Sequence, residues 1–162
     1  MVHLLLEQGE IRKRLAALAL KEMPYAAPEM ADNCVTVGLL SGNTPEDRLW
    51  GVALFHDFDP RRAVCEVSLV SWNPRWARKH AIIDVMAIPF LQYGCRKVYA
   101  LTQPENEKAN KWCAGIGFKR EAVLRHHFAP KVHAVVYGMM RSEYDRMVQR
   151  YTERERREKM AA

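Results

Sequence analysis

The most constraining part of this 162-residue chain is a short helix between two β-strands, because residues of restricted conformation mark both of its ends. Residues 96–102 and the run that begins at Phe118 both read as strands. Pro104 suits the first turn of a helix, and Gly117 suits the left-handed residue just past a helix end. This strand, helix and strand predict a crossover connection within a mixed sheet.

The remaining elements are predicted from the period of the apolar residues and from the turn residues between them. In chain order they are a helix over 7–22, strands over 34–40, 49–56 and 63–72, a helix over 77–93 kinked at Pro89, and, after the crossover, a hairpin of strands over 118–128 and 132–140. Turn-forming residues at 42–45 and 57–60 predict that the first three strands form an antiparallel meander. The predicted fold class is α/β (α+β), with a mixed, mostly antiparallel central sheet and helices on both faces.

The first and last helices carry apolar stripes that predict how they pack. In the first helix the stripe consists of Ile11, Leu15, Leu18 and Ala19. In the charged tail from Ser142 onward it consists of Tyr144, Met147, Val148 and Tyr151. We expect a domain over residues 1–144 and a charged helical extension over 145–162, which docks on the domain as far as about Tyr151. An interface with a second copy or a partner is the alternative for this stripe.

Composition narrows the class of protein. The chain is 49% hydrophobic, without the run of roughly 20 apolar residues that a membrane-spanning helix needs, and residues 1–6 are too short for a signal peptide. The four cysteines lack metal-type spacing and three lie in apolar runs, so we expect reduced, buried thiols in a cytoplasmic protein. The net charge of +6 is spread along the chain without a DNA-binding motif, which disfavours nucleic acid as a partner.

The crossover segment resembles the second half of the GNAT (Gcn5-related) N-acetyltransferase fold. Members of that family show an asparagine after the fifth strand, a helix, a Gly-Phe pair and often a Glu-Gly-x-x-Arg motif that opens the next strand. The matching residues here are Asn106, Gly117, Phe118, Glu121 and Arg125, with Ala122 in place of the motif's glycine. The order of helices and strands is also that of the family, and the resemblance covers residues 34–144.

The resemblance implies that acetyl-CoA is the co-substrate and that no metal is required. In the family, a loop Q/R-x-x-G-x-G/A holds the pyrophosphate of the cofactor with backbone N–H groups at a helix N-terminus. Here Trp76 stands for the Gln or Arg, Lys79 for the first glycine and Ala81 for the last small residue, so the loop is degenerate. The implied cofactor-binding residues are Leu69, Val70, Trp76, Ala77, Arg78, Lys79, His80, Ala81, Asn106 and Ala109.

Three residues are candidates for the proton transfers that acetyl transfer requires. Glu66 lies mid-strand where the family often places its base, and a carboxylate on a half-buried strand has a raised pKa. Cys113 takes the place of the tyrosine that protonates the leaving thiolate in the family. Tyr137 matches an aromatic residue common in the ribosomal-protein N-terminal acetyltransferase branch, to which the chain is most similar. The alternatives are a solvent-facing Glu66, a buried packing Cys113 and, for Asn106, a helix cap.

The function implied by the resemblance is transfer of an acetyl group from acetyl-CoA to an amine, by direct attack in a ternary complex. The acceptor amine, on a protein N-terminus, a lysine or a small molecule, is left open by the sequence, and a homodimer is one expected assembly. The alternative is a catalytically degenerate, GNAT-like binding or structural protein of the kind some phages encode, because the loop glycines and the tyrosine are missing. His126, His127 and His133 flank the last hairpin and are expected to contact solvent or the acceptor rather than a metal.

Overall fold

A computed structural model of the chain describes residues 3–6, 9–42 and 48–161. Most of the predicted turn at 42–45 and the start of the first predicted helix, at residues 7 and 8, lie outside the described residues. The strands are β1 (His3–Leu6), β2 (Val35–Leu40), β3 (Leu49–Asp59), β4 (Val64–Ser71), β5 (Lys97–Thr102), β6 (Lys119–Ala129) and β7 (Val132–Met140). The α-helices are α1 (Gly9–Leu20), α2 (Lys79–Ala87), α3 (Glu107–Ile116) and α4 (Arg141–Ala161).

The strands form one sheet in the order β1-β2-β3-β4-β5-β7-β6. Among the described strands, β4 and β5 are the parallel pair and the other neighbours are antiparallel. A parallel pair needs a crossover connection, which α2 provides, and α3 provides the second crossover to β6 on the far side of β7. The predicted mixed, mostly antiparallel sheet, its meander and its final hairpin are therefore confirmed.

Helices cover both faces of the sheet, as predicted. On one face, Val52, Leu54 and Val70 pack against α1. On the other face lies a larger cluster built from the opposite sides of the strands together with α2, α3 and α4. Successive residues of a strand point to opposite faces, so β4 gives Cys65, Val67 and Leu69 to the larger cluster and Glu66, Ser68 and Val70 to the α1 face.

The amino-terminal segment differs from its prediction in two ways. The buried residues of α1 are Leu15, Ala16 and Ala19, while Ile11 and Leu18 are 50% and 42% exposed. The two alanines bring α1 close to the sheet, so the buried stripe is narrower and rotated from the predicted one. Strand β1 was not predicted, since its run of three leucines without alternation does not distinguish a strand from a helix.

The segment 57–60, predicted as a turn, mostly continues β3. The β3–β4 register shifts between His56 and Asp59, and Asp57 adopts a left-handed backbone with φ of 50°. This bulge lets β3 run on to Asp59, and the chain reverses at 60–63 instead. The predicted kink at Pro89 takes the form of one π-helical turn, Ile88–Gln92, directly after α2.

The tail stripe docks as predicted. Tyr144 is buried, its hydroxyl donates to the carbonyl oxygen of Ile83 at 3.3 Å, and its ring stacks on that of Phe90. Met147 and Val148 are half-buried against the same cluster. The helix continues past Tyr151 to Ala161 with its residues exposed, and the division at residue 144 stays a prediction.

The four cysteines are buried and none is in a disulfide, as the apolar runs around them predicted. Within the part of the chain that the structure describes, no helix is long and apolar enough to span a membrane.

Gly51 tests the register of β3 against β4. A Cβ atom at this position would lie 2.6 Å from the backbone oxygen of Val70, so Gly51→Ala has to shift one strand against the other. We expect the free energy of unfolding to fall by about 1–3 kcal/mol, as it does when a packed core is overfilled. Gly115→Ala is the control, since a Cβ there meets nothing within 4 Å and alanine is the better helix former. Urea unfolding measures both, and a Gly51→Ala variant as stable as wild type would contradict this register.

Candidate active site

The centre of the sheet is open on one side of β4. The parallel pairing with β5 has three positions, which end with Glu66 opposite Tyr99. Beyond that point β4 continues to Ser71 and β5 to Thr102 without further pairing. Alternate residues of each strand therefore turn backbone N–H and C=O groups into the opening. This V-shaped opening offers backbone hydrogen bonds to an extended ligand.

The closed end of the opening holds a carboxyl group with an altered acidity. The pKa of Glu66 is raised from its ordinary 4.5 to about 7. Burial is the largest cause and the nearby Asp57 carboxylate adds to it, while a hydrogen bond from Tyr99 acts in the opposite direction. Burial and the charge of Glu66 raise the pKa of Tyr99 to about 12. Glu66 is thus half-buried, as a base needs, and it is partly protonated near neutral pH.

A hydrogen-bonded group that sequence reasoning missed lies beside Glu66. The ring of His56 is buried; its Nδ1 lies 2.8 Å from Oδ2 of Asp57, and its Nε2 lies 2.9 Å from Oγ of Ser68. His56, Asp57 and Glu66 also have ligand-type atoms within 4.8 Å of one another. Because both ring nitrogens of His56 already have partners, this arrangement favours a hydrogen-bond network over a metal centre.

The face of β4 opposite Glu66 carries an apolar cleft between β4, α2 and α3. Its free volume is only about 20 Å³, because the rings of Trp76 and Trp112 meet in it with their centroids 5.6 Å apart. Trp76 is 1% exposed and its Nε1 donates to Oγ of Ser71 at 3.0 Å. Nε1 of Trp112 is buried without a hydrogen-bond partner among the described residues, an arrangement that costs roughly 1–3 kcal/mol.

The open end of the V leads to the N-terminus of α2. Arg78 is the N-cap residue and its side chain makes no capping hydrogen bond, so among the described residues no cap side chain accepts from the first N–H groups of α2. These groups belong to Lys79, His80 and Ala81, and the helix dipole makes this end attractive to anions. Of the predicted loop residues, Ala77 is half-buried, Arg78 and Lys79 are exposed, His80 is half-buried and Ala81 is buried.

The tail helix adds positive charge at the same place. A cavity of about 390 Å³ separates the start of α2 from α4 and is lined by Lys79, His80, Arg150, Tyr151, Arg154, Glu155 and Glu158. Arg154 donates to Glu158 at 2.7 Å, and the hydroxyl of Tyr151 donates to Glu155 at 2.9 Å. Sequence reasoning did not bring α2 and α4 together at this cavity, because Lys79 and Arg150 are far apart along the chain.

The residues of α3 and β7 occupy structural positions. Oδ1 of Asn106 accepts from the N–H of Ala109 at 3.1 Å, which is the helix-cap alternative, and Gly117 is left-handed with φ of 106° as predicted. Cys113 is 4% exposed, and burial raises the pKa of its thiol to about 11. Tyr137 is buried on β7. The hydroxyl that contacts Glu66 belongs to Tyr99, which the sequence did not single out.

On the α1 face of the sheet, the loop after α1 contacts the β6–β7 hairpin. The rings of Tyr25 and Phe128 stack there with centroids 5.5 Å apart. The neighbouring histidines hold the hairpin, since the N–H of His126 donates to Nδ1 of His133 at 2.9 Å, and the N–H of Lys131 donates to Nδ1 of His126 at 2.8 Å.

Comparison with known proteins identifies the fold. No family model matches the sequence, and no curated protein is similar to it in sequence. A GCN5-related N-acetyltransferase from Brucella melitensis matches with a TM-score of 0.70 and 16% identity, over 94% of this chain and 81% of that one. A spermidine N-acetyltransferase from Vibrio cholerae, solved with CoA and spermine, matches with a TM-score of 0.67 and 15% identity, over 88% of this chain and 97% of that one.

A dodecameric structure of the Vibrio cholerae spermidine N-acetyltransferase matches with a TM-score of 0.65 and 14% identity, over 88% of this chain and 95% of that one. Identities this low concern the fold alone. The chain therefore has the fold of the GNAT acetyltransferases, and similarity to the ribosomal-protein branch stays a prediction.

The acidity of Glu66 predicts a pH-dependent stability. Because its folded pKa of about 7 is above the ordinary 4.5, the stability that this group contributes is present below pH 4.5 and is lost as the pH rises through about 7. Between pH 4.5 and 8, the free energy of unfolding of wild type should therefore fall by roughly 1–3 kcal/mol more than that of Glu66→Gln. Urea unfolding across this range measures the difference. Glu105→Gln, which replaces an exposed carboxyl group, is the control, and its stability should change with pH as that of wild type does. The same pH dependence in Glu66→Gln would contradict the burial of Glu66.

Proposed function

We propose that this protein is an N-acetyltransferase that uses acetyl-CoA as co-substrate and an amine as acceptor. The observation that carries the proposal is the opening between β4 and β5, with Glu66 at its closed end and the uncapped start of α2 at its open end. From Glu66 to Ser71, β4 spans about 16 Å at roughly 3.3 Å per residue. An elongated donor with phosphates at one end and a thioester at the other matches this arrangement.

The start of α2 and the facing part of α4 form the proposed binding site for the phosphates of coenzyme A. In the 390 Å³ cavity the cations Lys79, Arg150 and Arg154 outnumber the two carboxylates, and phosphates would replace Glu158 as the partner of Arg154. The cavity adjoins the N–H groups at the start of α2. Arginine binds phosphate through a planar fork of donors, and a helix N-terminus binds it through backbone N–H groups. Charged side chains here take over the role that glycines have in the family loop.

The arm of the cofactor would be held by β4 and by Trp112. We propose that the backbone of Leu69 and Val70 bonds the arm along the opening, and that the indole N–H of Trp112 donates to one of its amide carbonyls. This donor has no partner in the part of the chain that the structure describes, so such a bond would remove the cost of leaving it buried and unsatisfied. The cleft of about 20 Å³ has to widen by a movement of Trp76 or Trp112.

Glu66 is the proposed base. An ionised Glu66 takes a proton from the attacking amine, and its pKa of about 7 lets it accept that proton near neutral pH. The same proton can pass on to the departing thiolate, whose ordinary pKa of about 8.5 is higher. Tyr99 is the hydroxyl positioned for this transfer, ahead of Cys113 and Tyr137, because it bonds Glu66 while the other two are buried in the core.

The acceptor is proposed only as a class, an amine on a protein N-terminus, a lysine or a small molecule. One structural neighbour was solved with spermine and another is dodecameric, so polyamines and a homo-oligomer are among the arrangements to test. Mass spectrometry of a panel of amines incubated with acetyl-CoA and the protein would identify the acetylated product.

A second candidate is a binding or structural protein that has kept the fold without catalysis. The observation in its favour is the closed cleft, since Trp76 fills space that a cofactor arm would need and is 1% exposed. If the tryptophan contact does not open, neither coenzyme A nor acetyl-CoA will bind.

Calorimetric titration with acetyl-CoA separates the two candidates. We expect binding that weakens about tenfold or more in the double variant Arg150→Gln and Arg154→Gln, because each phosphate contact of an arginine contributes on the order of 1–3 kcal/mol. The control is Arg156→Gln with Arg157→Gln, which removes equal charge from the same helix at two positions that do not line the cavity. Absence of heat with wild type at millimolar ligand would support the second candidate. Equal losses in both double variants would mean that the tail acts only through its overall charge.

A further inference from the structure

The bulge in β3 adds Asp57 to a pair of side chains, His56 and Ser68, that already lie diagonally opposite in the regular β3–β4 register. Adjacent residues of a strand normally point to opposite faces, so Asp57 would point away from His56. The left-handed backbone of Asp57, with φ of 50°, breaks this alternation and brings its carboxylate to 2.8 Å from Nδ1 of His56. A non-glycine residue in this conformation costs free energy, and such strain clusters at functional sites.

The hydrogen bonds set the direction of proton transfer in this group. An ionised aspartate only accepts hydrogen bonds, so Nδ1 of His56 carries the proton and donates to Asp57. The other nitrogen, Nε2, is then an acceptor, and the hydroxyl of Ser68 donates to it at 2.9 Å. This is the tautomer in which a histidine withdraws the proton of a serine hydroxyl, with the aspartate holding the ring.

The position of Ser68 places this group beside the opening in the sheet. Ser68 lies two residues past Glu66 on the same face of β4, where β5 has already separated from β4. Its side chain is half-buried, whereas His56 is 3% exposed, so the hydroxyl is the accessible member of the pair. Alternate backbone N–H groups of residues 67–71 have no β5 partner and are available to a carbonyl oxygen that gains negative charge.

We propose that Ser68 is a nucleophile, with His56 as its base and Asp57 as a positioning residue, and that the protein hydrolyses activated esters and thioesters of short acyl groups when no amine takes the acyl group. The inference rests on the proposed function in one respect, that the acyl group enters between β4 and β5. It adds a second acceptor for the acyl group, the side chain of Ser68.

The reaction balances in two steps. In the first, Oγ of Ser68 bonds to the acyl carbon as its proton moves to Nε2 of His56, and the alcohol or thiol leaves with that proton. In the second, His56 takes a proton from water, the resulting hydroxide attacks the acyl–serine ester, and Ser68 regains its proton from His56. The products are a carboxylic acid and the free alcohol or thiol, and no oxidant or metal is consumed.

The test uses p-nitrophenyl acetate, which needs no coenzyme A. Wild type should release nitrophenol in a burst of about one equivalent, and proteolysis with mass spectrometry should locate one acetyl group on Ser68. Ser68→Ala should lose the burst, Ser68→Cys should keep it through its thiol, and Ser142→Ala, an exposed serine, should behave as wild type. Asp57→Asn should slow acylation about 100-fold or more, because an amide no longer holds the base-active tautomer.

The outcomes distinguish this inference from the proposed acetyltransferase. Acetyl on Ser68 in a protein that does not bind acetyl-CoA would support the nucleophile and remove the proposed function. Acetylation of amines without any burst or acetyl–Ser68 would overturn the nucleophile and leave the proposed function. A burst that persists in Ser68→Ala, or acetyl groups on lysines alone, would also overturn it. Circular dichroism and urea unfolding confirm that each variant is folded.

Discussion

The separation of β4 from β5 after three paired residues is the constraint on which the other features depend. Parallel pairing requires a crossover, and α2 as that crossover brings its N-terminus to the open end of the V. Unpaired backbone in the middle of a sheet is costly unless something bonds to it. The unpaired edges of β4 and β5 are therefore open to water or to an extended polar ligand, and the indole N–H of Trp112 is a further buried donor without a partner among the described residues.

The closed end of the V concentrates ionisable groups where the sheet is still fully paired. Burial and Asp57 raise the pKa of Glu66, while the bulge at Asp57 also brings that carboxylate to His56, whose other ring nitrogen contacts Ser68. One backbone irregularity thus serves both a candidate base and a candidate nucleophile. Strain at Asp57 is tolerated because the β3–β4 register on the other side of it remains intact.

The sequence predicted what depends on local chemistry. Gly117 ends α3 in the left-handed conformation, Asn106 caps it, and the period of Tyr144 and its neighbours predicts the docking of α4. Contacts that depend on tertiary geometry were not predictable in this way. His56 contacts Ser68 diagonally across the β3–β4 pair, and its contact with Asp57 depends on the register shift that begins after His56. Arg150 and Lys79 line one cavity only once α4 has docked. The resemblance puts Trp76 in a cofactor loop, but the sequence did not predict that its indole would be 1% exposed in the core, because that burial depends on the packing of α2 and α3.

Hydrogen–deuterium exchange with and without coenzyme A tests the central claim, that the opening between β4 and β5 is an acyl-donor site. Amides that face the opening have no strand partner in the free protein, so they should exchange readily. We predict that the ligand slows exchange in residues 67–71 and 79–81 and leaves β1 and β2 unchanged. Exchange that is unchanged in both segments at millimolar coenzyme A, or slowed only in the β6–β7 hairpin, would contradict the account.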